Sequence, residues 1–284
     1  MKEKQDRKLH VTNILRNIIG AIKMFAFIVG TILLVLMHTV WYLLTRRLDI
    51  TMLFHKWCCF VMNIHTTING QSAHTNNKPV IYLVNHISYI DILVLGSYID
   101  GCFVAKSEVA GWPGFGFLAK LQKTIFIVRE KSALMASRDS IASAMLKGHD
   151  IILFPEGTST DGWSVLQFRA GLLGIFFPDN KKNVEAEPVI DDALVQPLAI
   201  KHVKTDGVIV TRDRQDLRDL YAWYGDMELV PHLWSVFKTW RTDVELHYLD
   251  PLSSKDFVHR FDIANAAQEK VLKVIESNIT DENK

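Results

Sequence analysis

The stretch VIYLVNHISYID, residues 80–91, decides how the chain is read. Its first five residues are apolar and mostly β-branched. That composition predicts a strand buried on both faces. Asn85-His86 ends the apolar run, Ser88 is a candidate helix N-cap, and Asp91 then falls in the first turns of a helix. A strand feeding directly into a helix is the repeating unit of an α/β sheet. Such sheets place their ligand sites at the carboxyl ends of the strands.

Outward from this point the same rhythm continues. Further strands are expected at Cys102–Ala105, Ile125–Val128, Ile151–Phe154, Val195–Ile200, Val208–Thr211 and Val244–Leu249. Ser132–Lys147 reads as a helix stopped by Gly148. Ser254–Asn278 reads as a closing amphipathic helix capped by Ser253 or Ser254, with Phe257, Phe261, Ala264, Val271 and Ile275 on its inner side. The expected fold class is α/β, a mixed sheet covered by helices. Asn69–Lys78 is polar and turn-rich and reads as a linker. It separates an N-terminal helical region, residues 1–70, from the α/β domain, residues 71–284.

The N-terminal region has its own character. From Met1 to Lys23 there are six Lys or Arg against Glu3 and Asp6, an arm of charge +4. Met24–Thr45 then runs for 22 residues without a formal charge, long enough to cross a hydrocarbon core. It is too long for a signal-peptide core, and no small-residue cleavage site follows. Arg46-Arg47 close it, and a second, more polar apolar patch runs from Ile50 to Ile64. One spanning helix or a hairpin dipping into one leaflet both fit. The hairpin is preferred because it puts Trp41, Tyr42 and Trp57 at headgroup depth. A membrane-associated helical segment is expected either way.

Composition excludes other classes. With 49% apolar and 22% charged residues the chain has material for a core and is not disordered. The 32 basic and 31 acidic residues leave a net charge of +1, which argues against a nucleic-acid partner. Three cysteines, two of them adjacent, form neither a disulfide framework nor a zinc-ligand spacing, so no metal is expected.

His86 and Asp91 are the first candidates for chemistry. Histidine is the usual general base near neutral pH, and a carboxylate can hold its ring and stabilise the imidazolium. Five residues span about 500° of helix, so the two meet only if His86 precedes the helix. Both side chains are then expected at a site mouth. Among 11 His and 31 acidic residues in 284 positions, about one such pair arises by chance, so the spacing alone also fits a loop histidine beside a helix-terminal acid. A second candidate is Phe154-Pro155-Glu156-Gly157-Thr158-Ser159 at the end of another strand, where Thr158 with neighbouring amides suits an anion and the stretch also fits an ordinary strand-to-loop turn. A third is Thr124–Arg129, which brings one Arg out of a buried strand, suited to a phosphate or to a surface ion pair. A fourth is Val195-Gln196-Pro197, where the proline implies an edge strand, a bulge or a site rim.

These four blocks, in this order across Pro79–Thr211, resemble the glycerolipid acyltransferase family typified by bacterial 1-acylglycerol-3-phosphate acyltransferases. The resemblance implies transfer of a fatty acyl group from coenzyme A or acyl-carrier protein, as substrate rather than cofactor, to the free hydroxyl of a lysophospholipid. The first expectation is 1-acylglycerol-3-phosphate as acceptor and phosphatidate as product. His86 is then the base and Asp91 its orienting partner. Arg129 and Glu156, Gly157 and Thr158 hold the acceptor phosphate, and Lys106 matches a further basic position. The implied location is the cytoplasmic face of a bacterial inner membrane. One departure stands out: relatives commonly carry Arg after the Thr of the third block, and here Ser159 stands there. Variants of that kind resemble the branch that acylates lyso-ornithine lipid, whose acceptor has no phosphate.

No nucleophile elbow is visible, so direct attack of the acceptor hydroxyl on the thioester is expected rather than an acyl-enzyme. A hydrolase using His86 on water and a non-catalytic lipid binder are the rival classes. Val109–Leu121 is apolar and Gly-rich, suited to an acyl-chain wall, to bilayer contact or to a core. Arg169 reads as a solvated residue or a site cation. Tyr224–Glu228 and Pro231–Trp234 are distinctive, and nothing in the sequence accounts for them.

Overall fold

The structure, a computed structural model, describes residues 2–45, 50–74, 78–128, 130–177, 190 and 193–281. In chain order its elements are α1 (Lys2–Thr45), α2 (Thr51–Met62), β1 (Ile64–Asn69), β2 (Val80–Val84), α3 (Ile90–Gly96), β3 (Gly101–Lys106), α4 (Phe115–Leu121), β4 (Ile125–Ile127), α5 (Leu134–Leu146) and β5 (Asp150–Leu153). They continue with β6 (Leu194–Thr205), β7 (Val208–Ile209), α6 (Gln215–Arg218), α7 (Leu229–Lys238), β8 (Thr242–Tyr248), β9 (Leu252–Ser253) and α8 (Arg260–Asp281). The chain divides into two compact units. One comprises Met1–Thr67, Ile87–Tyr98 and His202–Glu245, the other Ile68–His86, Ile99–Lys201 and Leu246–Lys284.

The strand order of the sheet is β1-β8-β6-β2-β5-β3-β4. β2 pairs in parallel with β5 and β6, and β3 with β5 and β4, while β9 joins β6 antiparallel. The sheet is therefore mixed, as expected. All five residues of β2 are buried, which is why the strand reads as an unbroken apolar run. Ile81 and Leu83 pack with Ile151, Leu153 and Val195 beneath Ile141 and Met145 of α5 and Val271 of α8. On the opposite face Tyr82 donates towards Asp150 and meets Ser72 at 2.7 Å.

Pro197 is not on an edge, because β6 lies between β8 and β2. A strand residue points its N–H and C=O the same way, and the carbonyl of Pro197 accepts from Leu249, one residue past the end of β8. The missing donor thus falls where the neighbouring strand has run out. Gln196 also serves the frame. Its side chain accepts from Ala73 at 2.7 Å and donates to Gln71 and Leu249 at 2.8 and 3.0 Å. It ties down part of the segment that reads as a linker.

The largest differences from expectation are at β1 and α8. β1 lies where the sequence shows only the end of an apolar patch, because a strand carrying two threonines and a histidine has too weak an apolar signal. α8 starts at Arg260, not Ser254. Ser253 caps a short turn through Lys255, after which the helix register leaves Phe261 exposed and puts Ile263, Ala264, Ala267, Val271 and Ile275 inside.

In the first unit, α1 is long and apolar enough to cross a membrane between Thr12 and Thr45, and almost none of that span is buried. α2 pairs with it, with Gly30 leaving room for Trp57. The opposite side of α2 is part of the protein interior: His55 lies in the gap left by Gly96 of α3, and Cys58 and Cys59 are buried thiols. Lys23 Nζ donates to the carbonyls of Met62 and Thr239 at 3.2 and 2.7 Å, satisfying the C-terminal ends of α2 and α7. Arg16 pairs with Asp206 at 2.7 Å beside the β6–β7 hairpin.

Candidate active site

His86 is the residue after Asn85, at the carboxyl end of β2. Asn85 is buried and exchanges both amide hydrogen bonds with the backbone of Ile200, at 3.0 and 2.8 Å, which anchors the strand exit. The third sequence block and the residue just after it, Thr160, then hold the main chain of His86 at its amide and its carbonyl. Glu156 Oε1 accepts from the His86 amide at 2.8 Å, and Glu156 Oε2 accepts from Leu166 at 2.7 Å. The Thr160 amide donates to the His86 carbonyl at 2.8 Å, and its hydroxyl does so at 3.3 Å. The imidazole stacks on Phe154 with centroids 4.0 Å apart and 19° between planes. His86 is half-buried.

The blocks are brought together, then, but not in the way their residue types suggest. Glu156 is 1% exposed and both its oxygens accept from backbone amides, so it builds the loop that carries His86. Gly157 takes a φ of +75°, a conformation that favours glycine, and so turns the chain back after β5. Thr158 is exposed next to it. Lys106 is exposed at the end of β3. Arg129 lies outside the described residues. Arg169 is exposed, and its amide donates to Pro155. Trp112, Phe115 and Phe117 are all substantially exposed, so the Val109–Leu121 stretch presents apolar side chains to its surroundings and does not form a core helix.

Asp91 departs from the expected site mouth. It is fully buried. α3 begins at Ile90, which puts Asp91 in its first turn, as the spacing requires. Ser88 Oγ accepts weakly from Ile90 at 3.3 Å. The stronger bonds run the other way: Asp91 Oδ2 accepts from the amides of Ile87 and Ser88 at 2.7 and 2.9 Å. These belong to the two residues directly after His86. Asp91 Oδ1 accepts from the hydroxyl of Tyr221 at 2.8 Å. Three donors thus converge on this carboxylate at the amino end of α3.

Sequence reasoning missed Thr160 and Tyr221. Thr160 lies just past the third block, and threonine in a loop carries no signal of its own. Tyr221 lies 130 residues from its partner. Nothing short of the fold connects the two.

Comparison with known proteins agrees with this architecture. The sequence model of the acyltransferase family matches residues 65–201. The chain is 30% identical over 229 residues to a lyso-ornithine lipid O-acyltransferase of Rhizobium meliloti (strain 1021), covering 80% of this chain and 74% of that one. It is 33% identical over 200 residues to a lyso-ornithine lipid O-acyltransferase of Brucella abortus (strain 2308), covering 70% of this chain and 72% of that one. Among solved structures, the crystal structure of the 1-acyl-sn-glycerophosphate (LPA) acyltransferase PlsC from Thermotoga maritima has the same fold, with a TM-score of 0.61 at 19% identity over 94% of this chain and 96% of that one. The strand-end histidine, the turn that grips it and these likenesses lead to one conclusion: the chain belongs to the glycerolipid acyltransferase family and is an acyltransferase of lipid metabolism.

Proposed function

We propose that the chain transfers a fatty acyl group from a thioester, on coenzyme A or acyl-carrier protein, to the free hydroxyl of a lyso-ornithine lipid at a membrane surface. The observation that supports the chemistry is a half-buried histidine, His86, at the end of β2 on a main chain held by Glu156 and Thr160. His86 takes the proton of the acceptor hydroxyl as that oxygen attacks the thioester carbonyl. The C–S bond breaks, and the thiolate leaves with the proton from the imidazolium. Asp91 is assigned as the orienting partner of His86. Lys106, Arg129, Gly157 and Thr158 are assigned to binding substrate, and the exposed Trp112, Phe115 and Phe117 to contact with acyl chains.

Two findings favour an acceptor without phosphate over lysophosphatidate. Ser159 stands where the phosphate-using pattern commonly has a cation, and the Rhizobium and Brucella relatives both carry the lyso-ornithine name. Lys106 and Arg129 remain as cations for the phosphate reading. Side-by-side turnover on the two purified acceptors decides. The aminolipid is expected to be preferred by at least tenfold in kcat/KM, and Ser159→Arg is expected to raise use of lysophosphatidate. Preference of the wild type for lysophosphatidate would overturn the assignment.

Residues 1–65 are assigned to membrane attachment, on the cytoplasmic face of a bacterial inner membrane. The support is the unburied apolar span of α1 behind a basic arm. Apolar burial is insensitive to salt, whereas the attraction of the arm to anionic lipid is screened. Washing membranes with concentrated salt is expected to leave the protein bound, and detergent to release it. Complete recovery in the salt wash would refute apolar anchoring.

A further inference from the structure

Phe154 opens the third sequence block, whose reading as an anion grip gives its aromatic ring nothing to do. It lies in the same compact unit as His86. It directly follows β5, which pairs in parallel with β2 and sets Leu153 opposite Leu83. Its main chain is held in three ways. β5 runs into it, Pro155 confines the residue before it to an extended conformation, and the amide of Gly157 donates to the Phe154 carbonyl at 3.1 Å. The ring lies nearly parallel to the His86 imidazole, with centroids 4.0 Å apart and 19° between planes. That separation decides what the imidazole can do. Aromatic pairs that meet edge-on in this protein, Phe27 with Phe237 and Tyr89 with Trp223, stand 5.5 and 5.7 Å apart. At 4.0 Å an imidazole turned about its Cβ–Cγ bond would drive an edge into the face of Phe154. The loop that supplies this face also holds the His86 main chain through Glu156 and Thr160.

We infer that Phe154 is a positioning residue for acyl transfer: its ring sets the plane of the His86 imidazole and favours the imidazolium that forms when His86 takes the proton of the acceptor hydroxyl. This deepens the proposed function and rests on its assignment of His86 as base. Two effects follow from the one contact. A proton reaches an imidazole in the plane of the ring, along the lone pair of its nitrogen. A ring held in one plane aims that lone pair along one line of approach. The π face of phenylalanine is also negative, and it attracts a cation within about 6 Å of its centroid. The imidazolium at 4.0 Å lies well inside that range, and the neutral ring gains less. The charged groups bonded to the main chain here are Glu156, at the amide of His86, and Asp91, at the amides of Ile87 and Ser88. Both are retained when residue 154 is changed, so neither accounts for a difference among variants at that position.

The test is a series at residue 154 in the full-length enzyme, with turnover counted per folded molecule. Phe154→Leu keeps apolar bulk and removes the face. It is expected to lower kcat roughly tenfold, with KM for acceptor and thioester within about twofold of wild type. Phe154→Tyr, which keeps the face, is expected to recover most of that loss. Phe154→pentafluorophenylalanine keeps the shape and reverses the charge of the face. The acidic limb of its kcat/KM profile is expected to lie about 0.5–1 pH unit lower than in wild type, because a less favoured imidazolium gives up its proton at lower pH. A ring that only fills space would alter Tm and leave that limb in place. In a His86→Ala background Phe154→Leu is expected to cost no further turnover, since it acts through the imidazole. Wild-type kcat for Phe154→Leu, a raised KM at unchanged kcat, an unmoved acidic limb in the fluorinated variant, or an equal tenfold loss in both backgrounds would each overturn the inference. Should Phe154→Leu fold poorly, the fluorinated variant decides. The underlying reading fails separately: if folded His86→Ala keeps normal turnover, the base assignment is wrong whatever the series at 154 shows.

Discussion

Alanine in place of His86 is expected to lower acyl transfer by about 10²–10⁴-fold, the usual worth of a general base. The protein should still fold. The bonds from Glu156 and Thr160 run to the backbone amide and carbonyl of residue 86 and survive the change. The stack of the ring on Phe154 is lost. The loss should fall on kcat, because an imidazole that only moves a proton contributes little to ground-state binding. It should be the same for lyso-ornithine lipid and lysophosphatidate, since both offer a hydroxyl. Single-turnover acylation by folded His86→Ala at near wild-type rate would refute the mechanism, and release of free fatty acid by the wild type in preference to transfer would favour a hydrolase. Asp91→Asn differs in kind. The carboxylate is fully buried and bonded to two amides and a phenol, so its replacement is expected to lower thermal stability as well as turnover.

The fold was legible where one physical rule dominates. A strand buried on both faces is apolar throughout, so β2, β3, β5 and β6 were all visible. β1 was not, because a strand with two threonines and a histidine is specified by pairing rather than by its own composition. Phe261 shows a related limit. A periodic pattern gives the inner face of a helix only if its start is known, and a capped turn at Ser253 moved the start of α8 to Arg260.

The candidate site divides along the same line. Residue types and order identified His86, Asp91 and the Phe154–Ser159 turn as a group. They did not say which atoms bond. Gln196 and Pro197 illustrate this: both belong to the fourth block, yet Gln196 secures the backbone at residues 71 and 73, and Pro197 occupies an interior strand at the end of its neighbour. Tyr221 had no sequence signal, because its meaning comes entirely from a partner brought near by folding.

Glu156 is where this distinction predicts the largest structural effect. The motif alone suggests a residue that touches the acceptor, whereas its geometry is that of a clamp. One oxygen holds the amide of His86 at 2.8 Å and the other that of Leu166 at 2.7 Å. Glutamine has nearly the same shape but only one acceptor oxygen. Its NH₂ would face one of the two amides, donor against donor, in a site that is 1% exposed. Losing one hydrogen bond to a buried charged group costs about 1.5–3 kcal/mol, a drop of several degrees in Tm for a domain of this size. The loop can relax only by shifting His86 or the segment at Leu166. A displacement of about 1 Å at a reacting group is worth roughly 10²-fold. Glu156→Gln is therefore expected to lower Tm and to reduce kcat by about that factor, with KM for the acceptor little changed. Glu156→Asp, shorter by one methylene, should retain the charge but reach only one amide well, and should fall between the two. The opposite pattern, an unchanged Tm with a raised KM for the acceptor alone, would show that the carboxylate meets the substrate and that its bonds to the two amides are dispensable.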